Sequence, residues 1–441
     1  MKFMKKSLLF FLLFSPVFLW SQSFNTQKLD SLLDRIDAAE KAMFSLAIHQ
    51  DRKPIYTRAV GFADVESEEK SNPKTMYRIG SISKTFTSTI ILKLIEEGKL
   101  SLDTKLSTFY PELPNADKIT IKYLLNHHSG LFNFTNEENY TSWMQTAKSK
   151  EELLKIIKLN GTVFEPNEKG EYSNTNYVVL TWIAEDVSKK SFSSLLQQYI
   201  VTPLQLNRTR YQGKINPENN EAYSYKRGKS WIKDTETDMS IPLGAGAIVS
   251  TPSDLNKFYT ALFEGEILTS SSLEKMKSLE DRYGLGLFKF PFYDKTSFGH
   301  TGGIDGFSSM SAYFEEENLA IGITANGSTI SMNDILLGAL KIYFNKDYTL
   351  PTYKKSIEVD PSTLKKYEGI YGSDHFPLDI KIFVEDEVLK AQATGQASFP
   401  LEATDENSFI YDPVAVKMVF IPEENKMIFT QRGQSIELKR K

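Results

Sequence analysis

Strand-like alternation at both ends of a helical block is the feature that most constrains this chain. Over Ser45–Glu68 apolar and polar residues alternate around a Gln50-Asp51-Arg52-Lys53-Pro54 break, which predicts a β-hairpin. Helical spacing follows in Ile82, Phe86, Ile90, Ile91, Leu94 and Ile95 and stops at Gly98, predicting a buried helix that begins near Gly80. Helical patterns recur at Ile121–Asn126 and Val178–Val187, and the polar stretches Asn133–Lys148 and Gln212–Thr237 read as loops. Strand patterns return at Tyr283–Phe290, Phe307–Phe314 and Leu319–Ala325, followed by a helix pattern at Asn333–Phe344. The expectation is an α/β fold in which one antiparallel sheet is assembled from the two ends of a domain and flanked by the helices between them.

The pattern changes after Pro351. From Leu364 onward there are only short alternating runs, such as LDIKIFV, VKMVFI and KMIFTQ, separated by Asp, Glu, Asn and Gly, which predicts a small all-β barrel or sandwich. A length of 441 residues fits two domains better than one, so residues 22–350 and 351–441 are expected to fold separately about a linker at 346–360.

At the other end, Lys2, Lys5 and Lys6 precede an apolar run from Leu8 to Trp20. This reads as a secretory signal over residues 1–21, cut after Ser21, and implies an exported, periplasmic chain. An uncleaved membrane anchor is the alternative, given the bulky Trp20 beside the cleavage point. The net charge of −4 becomes −7 once the three lysines of that segment are gone, which gives no electrostatic footprint for nucleic acid. With no cysteine there is no disulfide framework, thiolate metal site or cysteine nucleophile. The adjacent His127 and His128 point in different directions and lack a companion carboxylate spacing, so no metal and no cofactor are expected, and a structural histidine beside Ser129-Gly130 is the better reading.

Chemistry is therefore sought in oxygen and nitrogen side chains. Ser and Lys three residues apart on one helical turn share a face, and the helix N-terminus favours developing negative charge. That spacing occurs six times, at Ser67, Ser71, Ser81, Ser230, Ser272 and Ser362, so by itself it decides nothing. Ser81-Ile82-Ser83-Lys84 alone follows a glycine and opens a long apolar helix; the alternative there is a serine that merely caps the helix.

The surrounding YRIGSISKTFTS resembles the nucleophile motif of the class C β-lactamase and low-molecular-mass penicillin-binding protein superfamily, which includes D-alanyl-D-alanine carboxypeptidases. Two further family elements occur in order: Tyr172-Ser173-Asn174, and His300-Thr301-Gly302 where many relatives have Lys-Thr-Gly. The stretch ITIKYLLNHHSGLFNF at 119–134 is also similar to one common in these hydrolases. The resemblance covers roughly residues 28–345. It implies a β-lactamase-like catalytic domain with a small C-terminal β barrel, and a serine hydrolase that forms an acyl-enzyme with a small-molecule or peptide substrate, peptidoglycan fragments included. It further implies Ser81 as nucleophile, Lys84 and Tyr172 as proton-transfer groups, Asn174, His300 and Thr301 as substrate-binding residues, and the Ser81 and Gly303 amides as the oxyanion hole. D-alanyl-D-alanine carboxypeptidase-like peptidase action leads; β-lactamase, short-chain esterase and a non-turnover penicillin-binding sensor are the alternatives. Because histidine titrates near about 6.5, a carboxylate held by His300 would bind better on acidification.

Overall fold

The computed structural model describes residues 24–211, 213–431 and 433–441, so the signal segment read at 1–21 lies outside the described residues. The expected hairpin is β1 (Ala42–Gln50) and β2 (Lys53–Val60). Four strands from the far end of the domain complete the sheet: β3 (Phe288–Phe292), β4 (Lys295–Ile304), β5 (Phe307–Phe314) and β6 (Leu319–Ser328). The order is β3-β4-β5-β6-β1-β2, antiparallel throughout, so β1 from one end of the chain pairs with β6 from the other, Ser45 facing Thr324.

Eight of the nine residues of β1 are buried because both faces of the sheet are covered. Phe44, Leu46 and Ile48 point toward helices α1 (Thr26–Ala38) and α5 (Met332–Tyr343), meeting Leu29, Leu33, Ile335 and Leu336. A larger helical core lies opposite, built on α2 (Ser83–Glu96), α3 (Asn174–Ser188) and α4 (Pro252–Phe263). Helix α2 ends where expected, with Gly98 at φ +71° closing it.

Two expected boundaries move. The strand expected at Tyr283–Phe290 begins only at Phe288, because Gly284-Leu285-Gly286 is spent on close packing. A Cβ on Gly286 would lie 2.3 Å from Ser88 Oγ and 3.1 Å from Lys84 O, so the turn is pressed against α2. The stretch read as a loop at 212–237 holds a small hairpin, Tyr225–Arg227 with Trp231–Lys233.

Beyond irregular residues 346–360, nine antiparallel strands between Gly369 and Arg440 form a nearly closed barrel-like sheet around their own core, which includes Tyr367, Ile382, Met418 and Leu438. The three strands that alternation missed, at Gly369–Ser373, Phe399–Pro400 and Glu402–Asp405, are too short or too glycine-rich to show a period.

Candidate active site

Ser81 sits in a tight turn, Gly80–Ile82, immediately before α2, and its side chain makes no capping bond. The Lys84 side-chain nitrogen lies 2.9 Å from Ser81 Oγ instead, as one helical turn dictates. Lys84 has no exposed surface, and burial pushes its pKa well below the ordinary lysine value. Its other neighbours are pure acceptors: Asn174 Oδ1 at 2.8 Å and Ala245 O at 2.8 Å. A neutral amine has two N–H donors and one lone pair. With the donors taken by Asn174 and Ala245, the lone pair is left facing the Ser81 hydroxyl, which is the arrangement a general base needs. The Ala245 carbonyl is held in place because its turn is wedged between helices: Thr87 Oγ1 donates to Gly244 O at 2.7 Å, and Gly244 N–H donates to Thr181 Oγ1 at 3.0 Å.

Tyr172 precedes α3 and stands beside Ser81, whose side chain opposes the burial-driven rise of the Tyr172 pKa. Its ring centroid is 4.9 Å from Lys84 Nζ. Burial raises the Tyr172 pKa, so the phenol keeps its proton at neutral pH. The pair therefore divides the work: Lys84 can receive the Ser81 proton, and Tyr172 offers a neutral O–H beside it.

Strand β4 brings the third element. Gly302 faces Ser309 on β5, whose hydroxyl donates to Ile79 O at 2.8 Å and ties the sheet to the residue that leads into the nucleophile turn. A Cβ on Gly302 would stand 2.0 Å from Ile79 O and 3.0 Å from Ser81 N, and one on Gly80 would stand 2.7 Å from Gly303 N. Only glycines allow this approach, and it sets the Ser81 and Gly303 backbones side by side, where two N–H groups can serve one developing oxyanion.

Thr301 is exposed on the same strand, whereas His300 is buried against Phe288, ring centroids 4.8 Å apart. Burial and the nearby Lys84 lower the His300 pKa to about 3. This corrects the expected pH response: the imidazole stays neutral throughout the range in which an ordinary histidine would charge, so acidification toward pH 5 adds no cation for a carboxylate.

Asn174 Nδ2 donates to Thr135 Oγ1 at 3.2 Å, and Asn174 N–H donates to Asn133 Oδ1 at 3.0 Å, so the loop after 132 fixes this amide. That loop also walls a cavity of about 220 Å³ beside Ser81, with Phe134, Tyr140 and Met144 on one side and Pro242 and Ile304 on the other. The lining holds one carboxylate, Asp305, and no Lys, Arg or His. Asp305 is already engaged by Arg78 at 3.0 Å and by the Thr237 hydroxyl at 2.6 Å. Sequence reasoning missed this wall, Arg78–Asp305 and the Ala245 carbonyl. It read His127 as structural, and the ring lies 4.4 Å from that of Tyr172. The only hint was the similarity at 119–134. Among the described residues no group of three His, Cys, Asp or Glu side chains is placed to hold a metal ion.

Comparison with known proteins supports the fold and places the chain in a family. The beta-lactamase family profile matches residues 30–339. Teichoic acid D-alanine hydrolase of Staphylococcus aureus is 27% identical over 267 residues, 58% of this chain and 65% of that protein. The D-amino acid amidase of Ochrobactrum anthropi SV3, solved with D-phenylalanine, superposes with a TM-score of 0.65 at 27% identity, covering 73% of this chain and 99% of the amidase. The octameric penicillin-binding protein homologue from Pyrococcus abyssi, at 25% identity and TM-score 0.66, covers 94% of this chain and all of that one, so its match extends through the C-terminal barrel. With a serine, a desolvated lysine and a tyrosine assembled on this fold, the chain is a serine hydrolase and belongs to the beta-lactamase family.

Proposed function

We propose that the protein is an exported hydrolase that transfers the acyl group of a D-amino-acid amide, peptide or ester to Ser81 and then to water. Lys84 accepts the hydroxyl proton as Ser81 Oγ bonds to the carbonyl carbon. The oxyanion is received by the Ser81 and Gly303 N–H groups. On collapse the C–N or C–O bond to the leaving group breaks, and the Tyr172 hydroxyl hands the departing amine or alcohol its proton while recovering one from Lys84. Water repeats the sequence on the ester and frees Ser81.

The observation that carries the substrate class is the cavity beside Ser81, apolar on two walls and without an unengaged charge. Such a space suits a compact acyl group with an uncharged or apolar side chain. A terminal carboxylate, as on D-alanyl-D-alanine peptides or β-lactams, gains little from a neutral His300. The relatives that act on D-amino acids support the stereochemistry. Amides and esters of D-amino acids therefore rank ahead of carboxypeptidase and β-lactam substrates.

Steady-state kinetics on D- and L-amino-acid p-nitroanilides, D-alanyl esters, a D-alanyl-D-alanine peptide and a chromogenic cephalosporin test this. The D-amides or D-esters should have the highest kcat/KM. Faster turnover of L-amides or of the cephalosporin would refute the reading, and stoichiometric labelling without turnover of any compound would point to a sensor.

A further inference from the structure

We propose that His127 is a positioning residue that clamps Tyr172 onto Ser81; this rests on the role of Tyr172 given above. Tyr172 lies in a stretch, 170–173, with no helix or strand of its own, so no ladder holds its backbone. His127 supplies the missing anchors on both sides of it. The N–H of Glu171 donates to His127 O at 2.9 Å, and the N–H of Ser173 donates to His127 Nδ1 at 3.2 Å. Between those two bonds the phenol ring rests on the imidazole, centroids 4.4 Å apart and planes 31° from parallel, while Tyr283 packs edge-on against the imidazole at 5.1 Å.

The hydrogen bonds also fix the ring's chemistry. A nitrogen that accepts a backbone N–H cannot itself carry a proton, and Asn176 Nδ2 stands 3.3 Å from the same Nδ1. The tautomer with its proton on Nε2 follows. Burial holds His127 well below its ordinary pKa, so the acceptor persists through neutral pH. The φ of +63° at His127, followed by Gly130 at +75°, turns the chain sharply after the short helix Ile121–Leu125 and delivers the ring under Tyr172.

Three substitutions in the full chain separate the parts of the clamp. His127→Phe keeps a ring and removes the acceptor. His127→Asn keeps an oxygen near the Nδ1 position and suits a left-handed backbone. His127→Gln moves the acceptor outward. The rate of Ser81 labelling by a fluorophosphonate reads nucleophile activation whatever the natural substrate is, and kcat and KM on the best amide or ester follow turnover. His127→Phe and His127→Gln should slow labelling and lower kcat by about 10–100-fold with KM within about threefold, and His127→Asn should stay within about fivefold of wild type, as loss of acid–base alignment requires.

The discriminating step is a double-mutant cycle with Tyr172→Phe. Once the phenol hydroxyl is gone, His127→Phe should cost less than about threefold more. Equal costs in both backgrounds, or wild-type labelling by His127→Phe, would overturn the clamp. If His127→Phe does not fold, the cycle with His127→Gln separates the same two outcomes. Absence of amide or ester turnover in the wild type, with the labelling pattern intact, would sink the substrate reading and leave the clamp standing. No labelling of the wild type would remove both.

Discussion

A lysine buried without a carboxylate is costly as a cation, and the hydrogen-bond partners of the Lys84 nitrogen are a hydroxyl, an amide oxygen and a backbone carbonyl. Its depressed pKa means that the reactive neutral amine forms on raising the pH, so labelling of Ser81 should rise with pH and level off well below the roughly 10.4 of free lysine. A profile still climbing through that value would show an ordinary lysine. Tyr172→Phe should lower kcat by about 10²–10⁴-fold, the range for general acid–base groups, with the protein still folded; turnover within a few-fold of wild type would reject its role. His300 makes the opposite kind of prediction. With its pKa near 3, substituting His300→Gln should leave the pH dependence of KM for a carboxylate substrate unchanged between about 5.5 and 8. A dependence that vanishes in the variant would restore the titrating histidine. At this scale the sequence was informative where spacing fixes geometry: Ser81 and Lys84 share a turn and must meet. It was silent on Ala245, whose carbonyl acts without any side-chain signature, and on Arg78–Asp305, which are 227 positions apart.

Between elements, catalysis depends on how closely β4 can lie against the turn before α2. Gly302→Ala would drive a methyl group to 2.0 Å from Ile79 O and push β4 away from Ser81 N. Losing one oxyanion donor this way should cost about 10²–10³ in kcat. Kinetics and labelling on purified Gly302→Ala check it, and wild-type turnover would mean that the two amides do not act together. The apolar patterns found β1, β2, β5, β6 and α2, although β1 and β6 are buried on both faces and α2 on most of its circumference rather than on one periodic face. They failed at 283–287, where apolar residues separated by glycine imitate a strand but serve a close approach to α2 instead.

Across the whole molecule, the catalytic part and the barrel keep separate cores, yet they are joined by a buried ion cluster. Lys41, with 1% of its side chain exposed, reaches Glu402 at 2.8 Å and Asp412 at 3.2 Å in the barrel, and Ile357 of the linker donates its N–H to Ala403 O at 2.9 Å. The separate cores lead us to propose that residues 24–350 fold alone, with a cooperative circular-dichroism transition at a lower Tm than the full chain; an insoluble or non-cooperative fragment would show that the two parts are one folding unit. The composition shift after Pro351 is what suggested the expected boundary, whereas the Lys41 cluster left no sequence signal, because its members lie about 360 positions apart. Every catalytic step assigned to this chain passes through one covalent bond, so the most direct measurement is intact-mass spectrometry of the full protein after fluorophosphonate treatment. A single adduct on the wild type, located on Ser81 and missing from Ser81→Ala, is the predicted result; an adduct that survives in Ser81→Ala would contradict the acyl-enzyme mechanism.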